Sequence, residues 1–230
     1  MKDILLFDLD GTLTDPKEGI TRCVQYALAH FGINVENLDE LLCFIGPPLV
    51  ESFKLFYGFN TDEAKQAVEK YRERFADIGI FENKVFDGIP ELLKVCKQAG
   101  KTVCLATSKP EVFAVRILEK YDIAQYFDIV VGSTLDGSID TKEEVILEVF
   151  SRIGKTESDK KKTYDNIKKE NIIMIGDRKH DIIGAKKCGI ESIGVRFGYA
   201  EAGELETAGA DYIVSTVEEL KKLCISCISI

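Results

Sequence analysis

Tryptophan is absent from this chain, and histidine occurs only as His30 and His180. No cysteine stands beside either at ligand spacing, so a Cys/His zinc site is not expected. No apolar run approaches the roughly 20 residues of a membrane span, and no membrane partner is expected. Positive charge is also scarce. Lysine and arginine total 30 against 39 acids, a formal net charge of −9, which argues against a nucleic-acid or anionic-membrane surface. A Gly-x-x-x-x-Gly-Lys-Ser/Thr loop is missing, which excludes a P-loop kinase or GTPase. The N-terminus has no basic region leading into an apolar run and cleavage site, so a signal peptide is not expected and a cytoplasmic location is. Seven cysteines, at 23, 43, 96, 104, 188, 224 and 227, are odd in number and scattered. That suits reduced thiols better than a disulfide framework. Cys224-x-x-Cys227 has no second Cys or His pair nearby and reads as a chance spacing in an apolar tail.

What is present organises the chain around Ile4-Leu5-Leu6-Phe7-Asp8-Leu9-Asp10-Gly11-Thr12. An unbroken apolar run ended by a glycine predicts a strand buried on both faces. Side chains alternate along a strand, so Asp8 and Asp10 point the same way. From residue 16 to 80 only helical periodicity appears. Ile20, Val24, Leu28 and Phe31 share one stripe, and Leu38 to Phe44, Leu49 to Tyr57 and Asp62 to Phe75 follow, with Thr61 as the expected N-cap. Gly46-Pro47-Pro48 is a stiff break. From Val85 onward strands and helices alternate. Strands are expected at 102–106, 129–131, 172–175, 192–195 and 212–214. Helices are expected to about Ala99, then over 110–121, 142–153, 181–188 and 217–223. This pattern predicts an α/β fold, a parallel sheet covered on both faces, interrupted after its first strand by an all-helical insertion. The expected division is 1–15 with 83–230 for the core, and 16–82 for the insertion. The polar stretch 155–169 carries its own acids among its lysines and reads as a solvated connection.

Ligands of open parallel sheets bind at the carboxyl ends of the strands. Those ends deliver a short set of residues. The first strand gives Asp8 and Asp10. The strand at 102–106 gives Thr107, Ser108 and Lys109. The strand at 172–175 gives Gly176, Asp177, Arg178 and, one helical turn on, Asp181. Four clustered acids call for a hard cation, and Mg²⁺ with its oxygen ligands suits them. Asp8, Asp10, Asp177 and Asp181 are therefore the expected metal residues, with Asp181 either binding the ion or orienting its waters. Arg178 and His180 read as structural or surface groups.

Asp8-Leu9-Asp10-Gly11-Thr12 resembles the first motif of the haloacid dehalogenase superfamily, and the likeness extends over nearly the whole chain. Thr107 matches the second motif, and Gly176-Asp177-Arg178-Lys179-His180-Asp181 the fourth. The third is a lysine without a local signature. Lys142 is assigned to it by its place after the third strand, with Lys109 as rival. The capped layout looks most like the phosphoglycolate phosphatase branch. The resemblance implies a Rossmann-like core with a helical cap, Asp8 as phosphorylated nucleophile, and Asp10 as general acid and base. It further implies Thr107, Ser108 and Lys142 as phosphate ligands, with Mg²⁺ as cofactor.

The function expected is hydrolysis of a small phosphomonoester, such as phosphoglycolate, a nucleotide or a sugar phosphate, through an aspartyl-phosphate. A phosphomutase with the same nucleophile is the alternative. A phosphate-dependent signalling module without turnover is the alternative of another class. Within the cap, Arg22, Lys54 and the Pro47 loop are candidate substrate contacts. The partner expected is a small phosphate ester, not a nucleic acid. Both monomer and homodimer remain open.

Overall fold

The computed structural model describes residues 2–156 and 168–225. Most of the polar stretch 155–169 lies outside the described residues, as do Cys227 and the rest of the tail after Ile225. The chain forms two compact units: Met1–Leu13 with Val85–Ile230, and Thr14–Lys84. No described helix is long and apolar enough to cross a membrane.

The first unit opens with β1 (Ile4–Phe7), in which Leu5, Leu6 and Phe7 are fully buried. The chain then passes through a short strand, β2 (Thr14–Asp15), into the helical unit. There α1 (Lys17–His30), a 3₁₀ segment (Leu38–Phe44), α2 (Leu49–Tyr57) and α3 (Thr61–Phe75) follow one another. A helix was expected over 38–44; the tighter 3₁₀ form is found instead. Helices α1 and α3 pack against each other, burying Ile20, Val24, Ala27 and Leu28 of one and Ala64, Ala67, Val68, Tyr71 and Phe75 of the other. Phe44 and Phe53 meet at 4.9 Å, and Phe53 stacks on Phe59 at 5.8 Å. Arg74 holds Glu82 through two hydrogen bonds of 2.6 and 2.8 Å. That guanidinium keeps the Glu82 carboxyl below the usual carboxylate range.

The return crossing is β3 (Lys84–Val85), which pairs with β2 in a two-stranded ribbon. The core then alternates: α4 (Ile89–Gln98), β4 (Thr102–Pro110), α5 (Glu111–Lys120), β5 (Ile129–Ser133), α6 (Lys142–Thr156), β6 (Ile172–Gly176), α7 (Lys179–Cys188), β7 (Glu191–Val195), α8 (Glu204–Ala208), β8 (Tyr212–Val214) and α9 (Val217–Ile225). Six strands form one parallel sheet in the order β5-β4-β1-β6-β7-β8. The first strand thus lies at its centre. The chain builds outward on one side of β1, then crosses back and builds outward on the other. Strand order reverses there, which is where open α/β sheets form a ligand crevice.

One sheet face is covered by α6 and α7. Leu6, Cys104, Ala106 and Met174 pack there against Val145, Ile146, Val149, Phe150, Ala185 and Cys188. Alternation turns Leu5, Phe7, Val103, Leu105, Ile173 and Ile175 to the opposite face. The end of β4 differs from expectation. Pro110 ends β4 rather than starting a helix, because the strand continues irregularly past Ala106 to pair with Ser133. The short helix α8 and the β2–β3 ribbon fall below what periodicity can detect.

The cap of α3 also differs. Asn60, not Thr61, precedes the helix, and its side-chain oxygen accepts the amides of Asp62 and Glu63 at 2.9 and 3.0 Å. Glu63 closes the box by accepting the Asn60 amide at 2.9 Å. Replacing Asn60 by Ala should therefore cost about 1 kcal/mol and lower the unfolding midpoint by about 2–4 °C. Thr61→Ala, which removes no cap, should leave it within about 1 °C. Thermal unfolding of the two variants beside the parent checks this; the reverse order of effects would place the cap at Thr61.

Candidate active site

The site is built at the carboxyl ends of β1, β4 and β6. Pairing of β1 with β6 runs to Phe7 opposite Ile175. The Asp8 amide then extends the ladder by donating to the Ile175 carbonyl at 2.9 Å. Beyond it the chain turns sharply, with the amides of Thr12 and Leu13 donating back to the Leu9 carbonyl at 3.3 and 2.9 Å. Gly11 sits in the turn at φ 83°. A Cβ at Gly11 would overlap the Asp177 carboxylate, and one at Gly176 would overlap that of Asp181. Close backbone approach brings the acids together, and only glycine permits it at these two positions.

Asp8, Asp10, Asp177, Asp181, Lys109 and Lys142 are all buried. One carboxylate oxygen each from Asp8, Asp177 and Asp181 lie within 4.8 Å of one another. Lys142, at the start of α6, donates to Asp8 Oδ1 at 2.8 Å and to the Ala106 carbonyl at 2.9 Å. Its Nζ also pairs with Asp181 Oδ1 at 2.8 Å. Lys109 Nζ lies 2.8 Å from Asp10 Oδ2, while Asp10 Oδ1 has no hydrogen-bond partner.

Burial dominates the electrostatics. It raises the Asp10 carboxyl above the usual range, against the pull of Lys109 and with the help of Asp8. It raises Asp177 far above that range, and the charges of Asp181 and Asp8 add to the effect. It raises Asp181 to about 6 although Lys142 opposes it. Burial alone would push the Lys142 ammonium down, but Asp181 and Asp8 outweigh it and hold it charged. Four acids stand against two ammoniums here. The deficit equals one divalent cation, and the donor set is all oxygen, which suits Mg²⁺. Without such an ion, burial favours the protonated forms of Asp10, Asp177 and Asp181.

The structure brings Asp8, Asp10, Lys109, Lys142, Asp177 and Asp181 into one cluster. Thr107 lies beside it, fully buried. Its Oγ1 accepts the Lys109 amide at 3.2 Å, within the irregular end of β4, and the hydroxyl keeps its proton to donate. Ser108 is half-buried, and its carbonyl accepts the Ser133 hydroxyl at 2.8 Å. Arg178 is turned to Glu204 at 2.9 Å. Burial, with Arg178 and Lys179 beside it, pushes the His180 imidazole down. In the helical unit, Arg22 is exposed and bonded to Glu18, Lys54 is bonded to Glu51, and Pro47 is half-buried.

Sequence reasoning missed two supports. The Tyr199 amide donates to Asp177 Oδ2 at 2.7 Å, and the Thr12 hydroxyl donates to Asp177 Oδ1 at 3.4 Å. Reading the carboxyl end of β7 as the other strand ends were read would have found the Arg196–Tyr199 loop. It also missed the partner of Lys109, which pairs with Asp10 rather than standing free for a phosphate.

The chain is similar to known proteins over most of its length. The profile of the haloacid dehalogenase-like hydrolases matches residues 5–195. A 5'-nucleotidase from Pseudomonas aeruginosa is 43% identical over 219 residues, covering 95% of this chain and 94% of that protein. The tyrosine-protein kinase PtkA of Mycobacterium tuberculosis is 33% identical over 221 residues, covering 95% of this chain and 71% of that protein. Among solved structures, a predicted phosphatase from Clostridium acetobutylicum superposes with a TM-score of 0.90 at 48% identity, covering 97% of this chain and 98% of that one. With its first motif on β1, its acidic motif on β6 and the lysines between them, the chain belongs to the haloacid dehalogenase-like hydrolase family, among its phosphatases.

Proposed function

We propose that the chain hydrolyses small phosphomonoesters, nucleoside monophosphates among them, by passing the phosphoryl group through Asp8. The observation that carries this is the pairing of the two acids on β1 with different lysines. Lys142 fixes and charge-balances Asp8, whereas Asp10 is held by Lys109 with a raised pKa. In the first step an Asp8 oxygen bonds to phosphorus as the ester oxygen leaves, taking a proton from Asp10. In the second, water attacks that phosphorus while Asp10 accepts its proton, and the Asp8 carboxylate is released. Lys142 and the Thr107 hydroxyl offset the charge on the phosphoryl oxygens in both steps. Asp8, Asp177 and Asp181 are the residues that would hold Mg²⁺. Bound there, the ion would neutralise acids and phosphate together. The Tyr199 amide and the Thr12 hydroxyl would hold Asp177 in its ionised, ligating form.

The helical unit begins at Thr14, four residues after Asp10 in sequence. We assign it the part of a cap, with specificity carried by its own residues, Arg22, Lys54 and the Pro47 loop among them. The nucleotide part of the reading rests on the 43% identity to the Pseudomonas 5'-nucleotidase. A second reading, transfer of the phosphoryl group to an acceptor hydroxyl instead of water, is supported by the likeness to PtkA.

Phosphate release from a panel of nucleoside monophosphates, phosphoglycolate and sugar phosphates, with Mg²⁺ and with chelator, tests the proposal. Asp8→Asn should reduce release to background. Asp10→Asn should lower kcat by roughly 10²–10⁴-fold. Unimpaired release from Asp8→Asn sinks the covalent route. Phosphate appearing on tyrosine or on a sugar hydroxyl, without free phosphate, establishes the second reading.

Stability offers a separate check. In chelator the folded chain binds more protons than the unfolded chain near the raised acids, so its stability falls as pH rises from about 4 through about 6. Asp181 alone corresponds to a loss on the order of 3 kcal/mol. At pH 7.5, Mg²⁺ should raise the unfolding midpoint of the native chain. Asp177→Asn should raise the midpoint in chelator, by relief of repulsion, and abolish the Mg²⁺ response. A Mg²⁺ response that survives in Asp177→Asn removes this acid from the metal site.

A further inference from the structure

A second cluster of reactive side chains lies at the opposite, amino end of the strands, where α9 packs on α4. Three contacts fix how these helices run. Val217, opening α9, stands against Gly88, which precedes α4, where a Cβ would come within 3.2 Å of it. One to two turns on, Lys221 feels the charge of Glu91. In the last turn of each helix, Cys224 and Cys96 lie close enough for each thiol to shift the other's ionisation. The contacts step forward together, so the helices are parallel and in register. The meeting of the two sulfurs follows from the packing of the whole helix pair rather than from one side-chain rotamer.

The surroundings favour ionisation of one partner. Gly100, at φ 75°, closes α4 with the amide of Gly100 donating to the Lys97 carbonyl at 3.0 Å and that of Lys101 to the Cys96 carbonyl at 3.1 Å. This cap ties Lys101 to Cys96. The Lys101 side chain is buried, donating to the Lys2 carbonyl at 2.6 Å and pairing with Asp3 at 3.5 Å. Its ammonium therefore stays close to both thiols. The nearby Cys224 thiol, aided by Lys101, draws the Cys96 thiol below its ordinary pKa against burial, and the Cys224 thiol is correspondingly raised. Cys104 and Cys188 differ: burial pushes their thiols up to about 12 and about 11.

We propose that Cys96 and Cys224 are a reversible disulfide-forming site that ties α9 to α4. With a peroxide as oxidant, the Cys96 thiolate attacks one peroxide oxygen and the O–O bond breaks, giving a sulfenic acid and, from hydrogen peroxide, water. Cys224 sulfur then attacks the Cys96 sulfur. The S–S bond forms and the sulfenic oxygen leaves as a second water with the Cys224 proton. Two thiols are oxidised, one peroxide is reduced, and a dithiol reductant reverses the change. Cys227 is the thiol nearest Cys224 in sequence; the helix register instead selects Cys96.

The full chain, folded and reduced, is treated with hydrogen peroxide, blocked with an alkylating agent and mapped by mass spectrometry without reduction. The expected product is an intramolecular Cys96–Cys224 peptide pair, reversed by dithiothreitol, with the unfolding midpoint of the oxidised chain raised by roughly 5–10 °C. Cys227→Ser should keep both results; Cys96→Ser and Cys224→Ser should lose both. Cys96 and Cys224 that remain alkylatable after peroxide in a chain still folded by circular dichroism would overturn the proposal. So would a dominant Cys224–Cys227 bridge or an intermolecular disulfide, and Cys227→Ser separates these from the expected pair even if a core cysteine variant folds poorly.

Discussion

Carboxylates that repel one another at the ends of two neighbouring strands set the terms for the rest of the core. Oxygens of Asp8, Asp177 and Asp181 lie within 4.8 Å of each other. At an effective dielectric of about 20, each ionised pair at that distance repels by about 3–4 kcal/mol, or about 10 kcal/mol for the three pairs. That rivals the whole folding free energy of a typical domain. The arrangement is tolerable only with cations or protons among the acids. The buried lysines supply part of the balance, and each is fixed from a different element: Lys142 from the head of α6, Lys109 from the end of β4. The Ala106 carbonyl, which accepts from Lys142, keeps that ammonium centred between Asp8 and Asp181.

Parallel register turns this electrostatic problem into a site. Because Ile4 to Phe7 align with Ile172 to Ile175 without a slip, the residues that follow each strand emerge side by side. Asp8 and Gly176 therefore leave the sheet at the same level, and Asp177 comes next. The closeness then depends on what has no side chain. The Asp177 and Asp181 carboxylates occupy the volume that a Cβ on Gly11 and on Gly176 would need. The strain of crowding charge is borne by a rigid pair of strands, buried from Leu5 to Phe7 and from Ile172 to Gly176, where a loop scaffold would give way.

Much of this could be read from sequence because it depends on local pattern. A double-sided buried strand announces itself as an apolar run, and the strand-end rule converts each run into a short set of chemical groups. Asp8, Asp10, Thr107, Asp177 and Asp181 were reached that way. Lys142 has no local signature and is reached through family resemblance and chain order; its ion pairs with Asp8, 134 positions away, and with Asp181 have no sequence trace. What escaped reading depends on partners that meet only in space. Lys109 looked free to take a phosphate, since nothing in Thr107-Ser108-Lys109 says that Asp10 lies opposite. Tyr199 contributes an amide, and a backbone group carries no residue signal. In the helical unit, Asn60 and Thr61 are both acceptable caps, and the reciprocal bond with Glu63 decides between them. Pro110 satisfies the rules for a helix start as well as for a strand end; pairing with Ser133 settles it.

The same contrast separates the two ends of the sheet. At the carboxyl end, burial works against the acids, so the groups there are held by cations and glycines at a cost to stability. At the amino end, burial works with the helix packing. Cys96 and Cys224 are small and apolar enough as thiols to sit in a close-packed interface, and Lys101 is satisfied by the Lys2 carbonyl and Asp3. Their closeness arises from ordinary packing of α9 along α4, with no strained backbone among them. A sheet stabilised at its amino end can carry an unfavourable cluster at its carboxyl end, because the strands transmit position over their length while the electrostatic penalty stays local. β1 shows this most directly. Leu5, Leu6 and Phe7, fully buried between neighbours on both sides, supply the rigidity that holds Asp8 and Asp10 where isolated carboxylates would not stay.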